Sequence, residues 1–135
     1  MKNFIYIVIL SYSLGQTILI SPQNQDTLNF LHIPFKWTQV SNAVNYQIQI
    51  ANDIDFENII YDELKPYLLD LVKDAFDWDA QYYWRCRSIQ SDGSFTNWSN
   101  SFSFYTYSLP SVLFNINTVS YEPELINPGV TIIDQ

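Results

Sequence analysis

The sequence is short of the residues on which metal centres, disulfide frameworks and phosphate-binding loops are built. Its 135 residues include one Cys, one His and three Gly. A single Cys and a single His supply neither a zinc cluster nor a disulfide, and a phosphate-cradling loop needs several closely spaced glycines. The composition therefore argues against nucleotide-binding folds and structural metal sites, and we expect no cofactor.

Basic residues are also scarce. Six Lys and Arg stand against 14 Asp and Glu, which gives a formal net charge of -8. Such a chain repels a phosphate backbone, so no nucleic-acid partner is expected. In contrast, hydrophobic residues make up 47% and aromatic residues 17% of the chain. This is enough apolar material for the core of one folded domain of this length.

Residues 1–15 have the features of a secretory signal peptide. Lys2 provides a basic start, and residues 4–10 form an unbroken apolar run, FIYIVIL. A membrane-spanning helix needs about 20 apolar residues, whereas the observed run has the length of a signal-peptide core. The same run is rich in β-branched and aromatic residues, so a buried N-terminal β-strand is the alternative interpretation.

Small side chains follow the apolar run where a signal peptidase requires them. Ser13 and Gly15 occupy these positions, which predicts cleavage before Gln16. The mature chain is then expected to be secreted, to an extracellular or periplasmic location. It is expected to make no membrane insertion after cleavage.

The rest of the chain reads as β-strands, because apolar and polar residues alternate with a period of two. Residues 46–50 (YQIQI) alternate strictly, and Phe35 and Trp37 alternate with polar neighbours. A helical period cannot produce this pattern. Shorter strand-like runs occupy residues 17–20, 59–61, 68–72 and 101–106. The polar stretch 23–29 has the composition of a turn.

The longest strand signal covers residues 81–89 (QYYWRCRSI). Arg85 and Arg87 share one face of this strand, and burying two unpaired arginines would be costly. The opposite face, with Tyr82, Trp84 and Cys86, should therefore point into the core. The complete count is about seven strands, as expected for a β-sandwich.

The order and spacing of these segments resemble a fibronectin type III domain, in particular the divergent form of secreted bacterial proteins. The segments that carry the resemblance run from about residue 17 to residue 106: SP, FKWTQV, NAVNYQIQIANDIDFENIIYD, QYYWRCRSIQSDG, NWSN and FSFYT. The resemblance implies an immunoglobulin-like, seven-stranded antiparallel β-sandwich. It also implies that Trp37 is the core tryptophan and that Tyr82 is the tyrosine-corner residue. The Pro-Gly pair usual before that tyrosine is absent here.

The resemblance divides the chain into a signal peptide (1–15), a fibronectin type III-like domain (17–107) and a tail (108–135). The tail contains strand-like pieces at 113–116 and 130–133, and it is interpreted as a linker or as the start of a truncated following domain. Its end, PELINPGVTIIDQ, resembles the opening strand of an arylsulfotransferase-type propeller. An N-terminal accessory domain of a secreted enzyme is therefore the alternative function.

Three carboxylates alternate in the segment NDIDFEN, as they do in calcium-binding loops. They are Asp53, Asp55 and Glu57. The glycine and the glutamate that an EF-hand loop needs at its sixth and twelfth positions are both missing. These residues remain weak candidates for a metal site, and a solvated turn is the favoured interpretation. No metal is predicted.

The most distinctive surface feature combines aromatic and basic residues. Arg85 and Arg87 should project outward, and Trp98 should lie at the entry to the adjacent strand, within reach of both guanidinium groups. A stabilising surface stack is favoured over a ligand platform, because exposed aromatic side chains alone do not prove recognition. Trp78 and Tyr83 complete the set of candidates for contact with a carbohydrate or a protein.

The sequence therefore predicts a secreted, non-catalytic module that acts as a spacer or as a protein or carbohydrate interaction domain. No motif of a nucleophilic triad is present, so no catalytic residue is predicted. The expected partners are other domains of the same parent protein or extracellular proteins and carbohydrates. The chain is interpreted as a fragment of a larger extracellular protein.

Overall fold

A computed structural model describes residues 15–109, which form two β-sheets and contain no helix. The predicted signal peptide, apart from Gly15, and the tail beyond Leu109 lie outside the described residues. The eight strands are β1 (Leu19–Ser21), β2 (Asp26–Leu28), β3 (Ile33–Trp37), β4 (Ala43–Ala51), β5 (Ile59–Lys65), β6 (Leu69–Val72), β7 (Ala80–Gln90) and β8 (Phe102–Thr106). Within residues 15–109, no helix is long and apolar enough to cross a membrane.

The two sheets pack face to face as a sandwich. The smaller sheet has the order β1-β3-β6, and the larger sheet has the order β2-β8-β7-β4-β5. Every pair is antiparallel except β2 with β8. The predicted all-β sandwich is thus confirmed.

The sandwich has two poles that the strand registers define. At the N-terminal pole, Leu19 lies opposite Trp37 at the end of β3, and the short connection 38–42 leads directly to the start of β4. At the C-terminal pole, Ala80 at the start of β7 lies opposite Thr106 at the end of β8. The chain therefore enters the sandwich at one pole and leaves it at the other.

One strand was not expected from the sequence. The stretch 23–29 was predicted as a turn, but Asp26–Leu28 forms β2 and pairs with β8 in parallel, so the described residues hold eight strands rather than seven. The pairing uses backbone groups of a mostly polar three-residue segment. Such a segment is too short to show the alternation on which strand prediction rests.

The core is aromatic and follows the predicted alternation. Phe35 from the smaller sheet meets Trp84 and Phe104 from the larger sheet, with ring centroids 5.0 and 5.8 Å apart in edge-to-face geometry. Aromatic pairs favour this arrangement. Tyr82 and Cys86 are buried beside them, so the predicted faces of β7 are correct. Burial also raises the pKa of the Cys86 thiol, which makes it a small hydrophobic side chain rather than a nucleophile.

Tyr82 makes the contact that defines a tyrosine corner. Its hydroxyl accepts a 2.7 Å hydrogen bond from the backbone N–H of Asp77, five residues upstream. Phe76 packs edge-to-face on the Tyr82 ring at 5.1 Å. The corner therefore forms although the Pro-Gly pair is absent. The Phe76 ring contact and the hydrogen bond to the Tyr82 hydroxyl hold the turn.

Replacing Tyr82 by phenylalanine should lower the free energy of unfolding by about 1 to 1.5 kcal/mol, because the Asp77 N–H loses its acceptor while the ring contacts remain. Chemical denaturation of the variant measures this loss. Tyr83→Phe on the opposite face of β7 is the matched control and should change stability by less than about 0.5 kcal/mol. Equal values for the two variants would show that the hydroxyl contributes nothing to the corner.

Candidate functional site

The outer face of the larger sheet carries a stack of alternating aromatic and guanidinium groups. Its order is Phe56, Arg85, Trp98, Arg87 and Phe95, and these five side chains are called the stack below. The Arg85 guanidinium carbon lies 4.0 Å from the Phe56 ring centroid and 4.3 Å from that of Trp98. The Arg87 carbon lies 4.2 Å from the Trp98 centroid and 4.0 Å from that of Phe95. Each guanidinium plane is thus covered on both faces.

Strand register places the two arginines beside two glutamines. In the β4–β7 pair, Gln49 lies opposite Arg85 and Gln47 lies opposite Arg87, so each pair shares the outer face. The Gln49 Oε1 accepts hydrogen bonds from Arg85 Nε at 3.0 Å and from its Nη2 at 2.8 Å. The Gln47 Oε1 accepts one from Arg87 Nε at 2.8 Å. The edge of each guanidinium group is therefore fixed as well as its faces.

Asp62 on β5 completes this network. Its Oδ1 accepts a hydrogen bond from Gln47 Nε2 and its Oδ2 accepts one from Gln49 Nε2, both at 2.7 Å. The side-chain amides of Gln47 and Gln49 on β4 thus link the Asp62 carboxylate on β5 to the Arg87 and Arg85 guanidinium groups on β7. Side-chain networks of this kind fix rotamers that an exposed arginine would otherwise exchange freely.

The electrostatics of the stack are governed first by burial. Partial burial lowers the pKa of Arg85, and the neighbouring charge of Arg87 lowers it further, while Asp62 acts in the opposite direction. Burial likewise lowers the pKa of Arg87, against the effect of Asp62. Both groups stay charged because an arginine loses its proton only far above neutral pH. The stack therefore contains two cations that the rings and the distant carboxylate stabilise.

Trp98 is held by the irregular segment that runs beside β7. The Ser99 N–H donates to the Cys86 carbonyl at 2.9 Å, and the Cys86 N–H donates to the Ser99 hydroxyl at 3.0 Å. Thr96 makes the same pair of contacts with Ser88, each at 3.0 Å. The Ser99 and Thr96 hydroxyl groups thus accept the backbone N–H groups of β7 that the carbonyls of a neighbouring strand would otherwise accept. These bonds on both sides of Trp98 fix it between the arginines.

Phe56 is held by a loop that Asp53 organises. The Asp53 Oδ1 accepts the N–H groups of Asp55 and Glu57 at 3.0 Å, and its Oδ2 accepts that of Asn58 at 2.7 Å. Phe56 has φ of 59°, in the left-handed region that bulky residues rarely adopt. The Asp53 bonds on both sides of Phe56 hold this conformation and place its buried ring against Arg85.

These contacts give one of the three carboxylates of NDIDFEN, that of Asp53, a role in the loop. Both Asp53 oxygens receive backbone donors, whereas Asp55 and Glu57 contribute their amides. Within residues 15–109, no group of three or more His, Cys, Asp or Glu side chains is placed to hold a metal ion. Asp53 acts here as the acceptor of an Asx-type turn.

Acidification should release this loop. Hydrogen bonds from the Glu57 and Asn58 amides, the two largest causes, hold the pKa of Asp53 below its ordinary 3.8. The stabilisation is therefore complete above pH 3.8 and is lost as the pH falls through the lower value of the folded state. Amide exchange at residues 55–58, measured between pH 5 and pH 2.5 and corrected for intrinsic rates, should rise as Asp53 is protonated.

Asp53→Ala should produce the same rise at every pH. Asp55→Ala is the matched control, because Asp55 enters the hydrogen bonds of the loop through its backbone amide. Equal exchange in the two variants would contradict the role assigned to the Asp53 carboxylate.

The structure unites three of the five predicted binding residues. Arg85, Arg87 and Trp98 form the centre of the stack, as the alternation of β7 implied. Tyr83 lies on the same face of β7, two residues before Arg85, without joining the stack. Trp78 lies apart, in the turn before β7 at the C-terminal pole. Whether any of these residues binds a ligand stays a prediction.

Sequence reasoning missed the two ends of the stack and the glutamines behind it. Phe56 and Phe95 lie in connections, where no period shows their direction. The glutamines carried a usable signal, because the strict alternation of residues 46–50 places Gln47 and Gln49 on one face. Only the register of β4 against β7 shows that this face meets Arg85 and Arg87.

Comparison with known proteins identifies the fold. No protein-family model and no curated protein matches the sequence. Among solved structures, the chain is similar to fibronectin(III)-like modules of Clostridium thermocellum CbhA, with 13% identity and a TM-score of 0.51 over 69% of this chain and 97% of that one. It is also similar to FN3tt, with 14% identity and a TM-score of 0.50 over 69% and 97% of the two chains. The chain therefore has a fibronectin type III-like fold.

Proposed function

We propose that this chain is an exported, non-catalytic fibronectin type III-like module that acts as a spacer in a larger extracellular protein. The all-β fold and its fibronectin III-like neighbours support a non-catalytic module. The signal peptide predicted for residues 1–15 supports an extracellular or periplasmic location. The expected partners of the module are then the other domains of the same parent protein, which follow it in the sequence.

The observation that carries the spacer role is the position of the two ends of the module. Ile18 lies at the N-terminal pole, where its carbonyl accepts a 2.9 Å hydrogen bond from the Thr38 N–H. Ser108 lies at the C-terminal pole, where its N–H and hydroxyl donate to the Asp79 carboxylate. Since β7 spans the sandwich with 11 residues, the poles are roughly 35 Å apart. A module with this geometry holds the mature N-terminus at one pole and the domain that follows at the other, separated by the length of the sandwich.

The stack favours a spacer over a ligand platform. Both faces of each guanidinium group are covered by rings of this chain, and the Nε edges are bound to Gln47 and Gln49. The groups that would stack on a sugar or an aromatic side chain are thus engaged within the module. Their effect is to stiffen the outer face of the larger sheet along β4 and β7.

The distance between the poles tests this proposal. Spin labels attached to Ile18→Cys and Leu109→Cys in the full chain should give a narrow distribution of label-to-label distances in double electron–electron resonance. Its centre should lie at about 35 to 45 Å, including the label arms. Both positions are exposed. The native Cys86 is buried and its thiol pKa is raised, so it should stay unlabelled.

A pair of labels at one pole is the control. Lys73→Cys with Leu109→Cys places both labels at the C-terminal pole and should give less than about 20 Å. A broad or short distribution for the Ile18 and Leu109 pair would contradict the spacer role. Binding of a glycan or an extracellular protein that Trp98→Ala abolishes in a still folded module would instead assign the stack to recognition.

A further inference from the structure

A small cleft lies between the two sheets where the chain enters the sandwich. Its volume is about 160 Å³. One side is formed by residues 16–19, which lead into β1 of the smaller sheet, and the other by residues 99–102, which lead into β8 of the larger sheet. Its polar lining consists of Gln16, Thr17, Ser99 and Asn100, and its apolar walls include Leu19 and Phe102. The cleft is therefore bordered by both sheets.

The Thr17 hydroxyl is a buried polar group of this lining. Thr17 is 2% exposed, and its Oγ1 has no hydrogen-bond partner among residues 15–109. The backbone beside it is fixed, because the Ile18 N–H donates to the Thr38 hydroxyl and the Ile18 carbonyl accepts the Thr38 N–H. Buried hydroxyl groups in native proteins are bonded either to protein atoms or to ordered water, since an unpaired one is costly.

Ser99 contributes a second buried hydroxyl to the cleft, from the segment that leads into the larger sheet. Ser99 is 8% exposed, and its hydroxyl oxygen accepts the Cys86 N–H at 3.0 Å. This bond uses the oxygen, so the hydroxyl proton remains available to a further acceptor. The Gln16 Nε2 donates to the Trp98 carbonyl at 2.5 Å, which places the Gln16 amide beside the same segment. The cleft thus offers hydrogen-bonding groups from both of its sides.

These features match the requirements of an ordered water molecule. Such a water needs two to four polar partners and roughly 10 to 15 Å³ of space. The cleft provides four polar side chains and a volume well above this minimum. An apolar ligand of the same size would leave the Thr17 hydroxyl unpaired, at the cost of a buried polar group without a hydrogen bond.

We propose that the cleft binds an ordered water molecule that bridges the Thr17 and Ser99 hydroxyl groups. The Ser99 hydroxyl donates to the water, and the water donates to the Thr17 oxygen. The bridge joins the entering segment of the smaller sheet to the segment before β8, next to Trp98 of the stack. The inference goes beyond the proposed spacer function and does not rest on it.

A high-resolution crystal structure of the full chain tests the bridge directly. It should show an ordered water within about 3.2 Å of both the Thr17 and the Ser99 hydroxyl oxygens. A water bound to only one of the two hydroxyls would overturn the bridge. The absence of an ordered water beside Thr17, or another part of the chain bonded to its hydroxyl, would overturn the site itself.

Thr17→Val removes the hydroxyl while keeping the shape of the side chain, so crystals of this variant should lack the bridging water. Thr27→Val is the matched control, because it makes the same exchange at an exposed position of β2. The control should retain the water. Persistence of the water in Thr17→Val, or its loss in both variants, would overturn the assignment to the Thr17 hydroxyl.

Thermal unfolding of the same variants gives a second readout, whose sign separates a water-bonded hydroxyl from an unpaired one. Loss of a hydrogen bond to water should lower the midpoint of Thr17→Val by about 4 °C. An unpaired hydroxyl would give a rise instead, because a methyl group suits a buried site better. Thr27→Val should change the midpoint by less than about 2 °C. A midpoint for Thr17→Val at or above that of Thr27→Val would overturn the proposal.

Discussion

Replacing Trp37 by alanine is expected to lower the free energy of unfolding by about 3 to 5 kcal/mol. Trp37 is 1% exposed and is the largest fully buried side chain of the smaller sheet. Its ring lies 5.9 Å from that of Tyr46 on the facing sheet, and its backbone pairs with Leu19 of β1. The substitution therefore removes contacts between the sheets and leaves a cavity that rigid strands on both sides cannot close.

Denaturant titration of purified variants measures this loss. The control is Tyr67→Ala, which removes a large aromatic ring from the surface and should change stability by less than about 0.5 kcal/mol. A loss below about 1 kcal/mol for Trp37→Ala would show that the assigned faces of β3 are wrong. A large loss for both variants would show that aromatic truncation destabilises this chain regardless of burial.

Replacing Trp98 by alanine is expected to lower the free energy of unfolding by about 2 kcal/mol. The indole separates the two guanidinium groups, so its removal deletes two cation–π contacts worth about 0.5 to 1 kcal/mol each at a partly exposed site. It also exposes the apolar surface that the ring covers and lets two like charges face each other across water. The effect is smaller than that of Trp37 because the stack lies on the outer face of the sheet.

The matched control for this variant is Trp78→Ala, which removes an indole that contacts no arginine of the stack. Its unfolding free energy should change by less than about 0.5 kcal/mol. A double-mutant cycle between Trp98→Ala and Arg87→Met should give a coupling energy of about 0.5 to 1 kcal/mol. Additive losses would mean that the stacked geometry contributes no stability, and the stack would then need another explanation.

The faces of the long strands could be predicted because side chains alternate between the two faces, so placing one residue places all the others. Once Arg85 and Arg87 are required to face water, Tyr82, Trp84 and Cys86 must face the core, and the structure confirms this for all three. The tyrosine corner was implied by the resemblance to fibronectin type III domains. Its supporting contact with Phe76 was not implied, because the usual Pro-Gly pair is replaced by an unrelated sequence.

The ends of the stack could not be predicted because they depend on loops. Phe56 reaches Arg85 only through a left-handed backbone that the Asp53 carboxylate fixes, and the same carboxylate had been considered as a metal ligand. Phe95 follows a turn in which Asp92 binds Ser94. In both cases a short acidic motif signals a turn, but the direction of the next aromatic ring depends on tertiary packing.

The most direct test of the central claim is to identify this chain in its natural source. An antibody against residues 15–109, used on separated cell fractions, should detect a polypeptide larger than the 15.8 kDa of this sequence outside the cytoplasm. Mass spectrometry of that polypeptide should find Gln16 as its first residue. A cytoplasmic polypeptide of 15.8 kDa that retains Met1 would contradict an exported spacer of a larger extracellular protein.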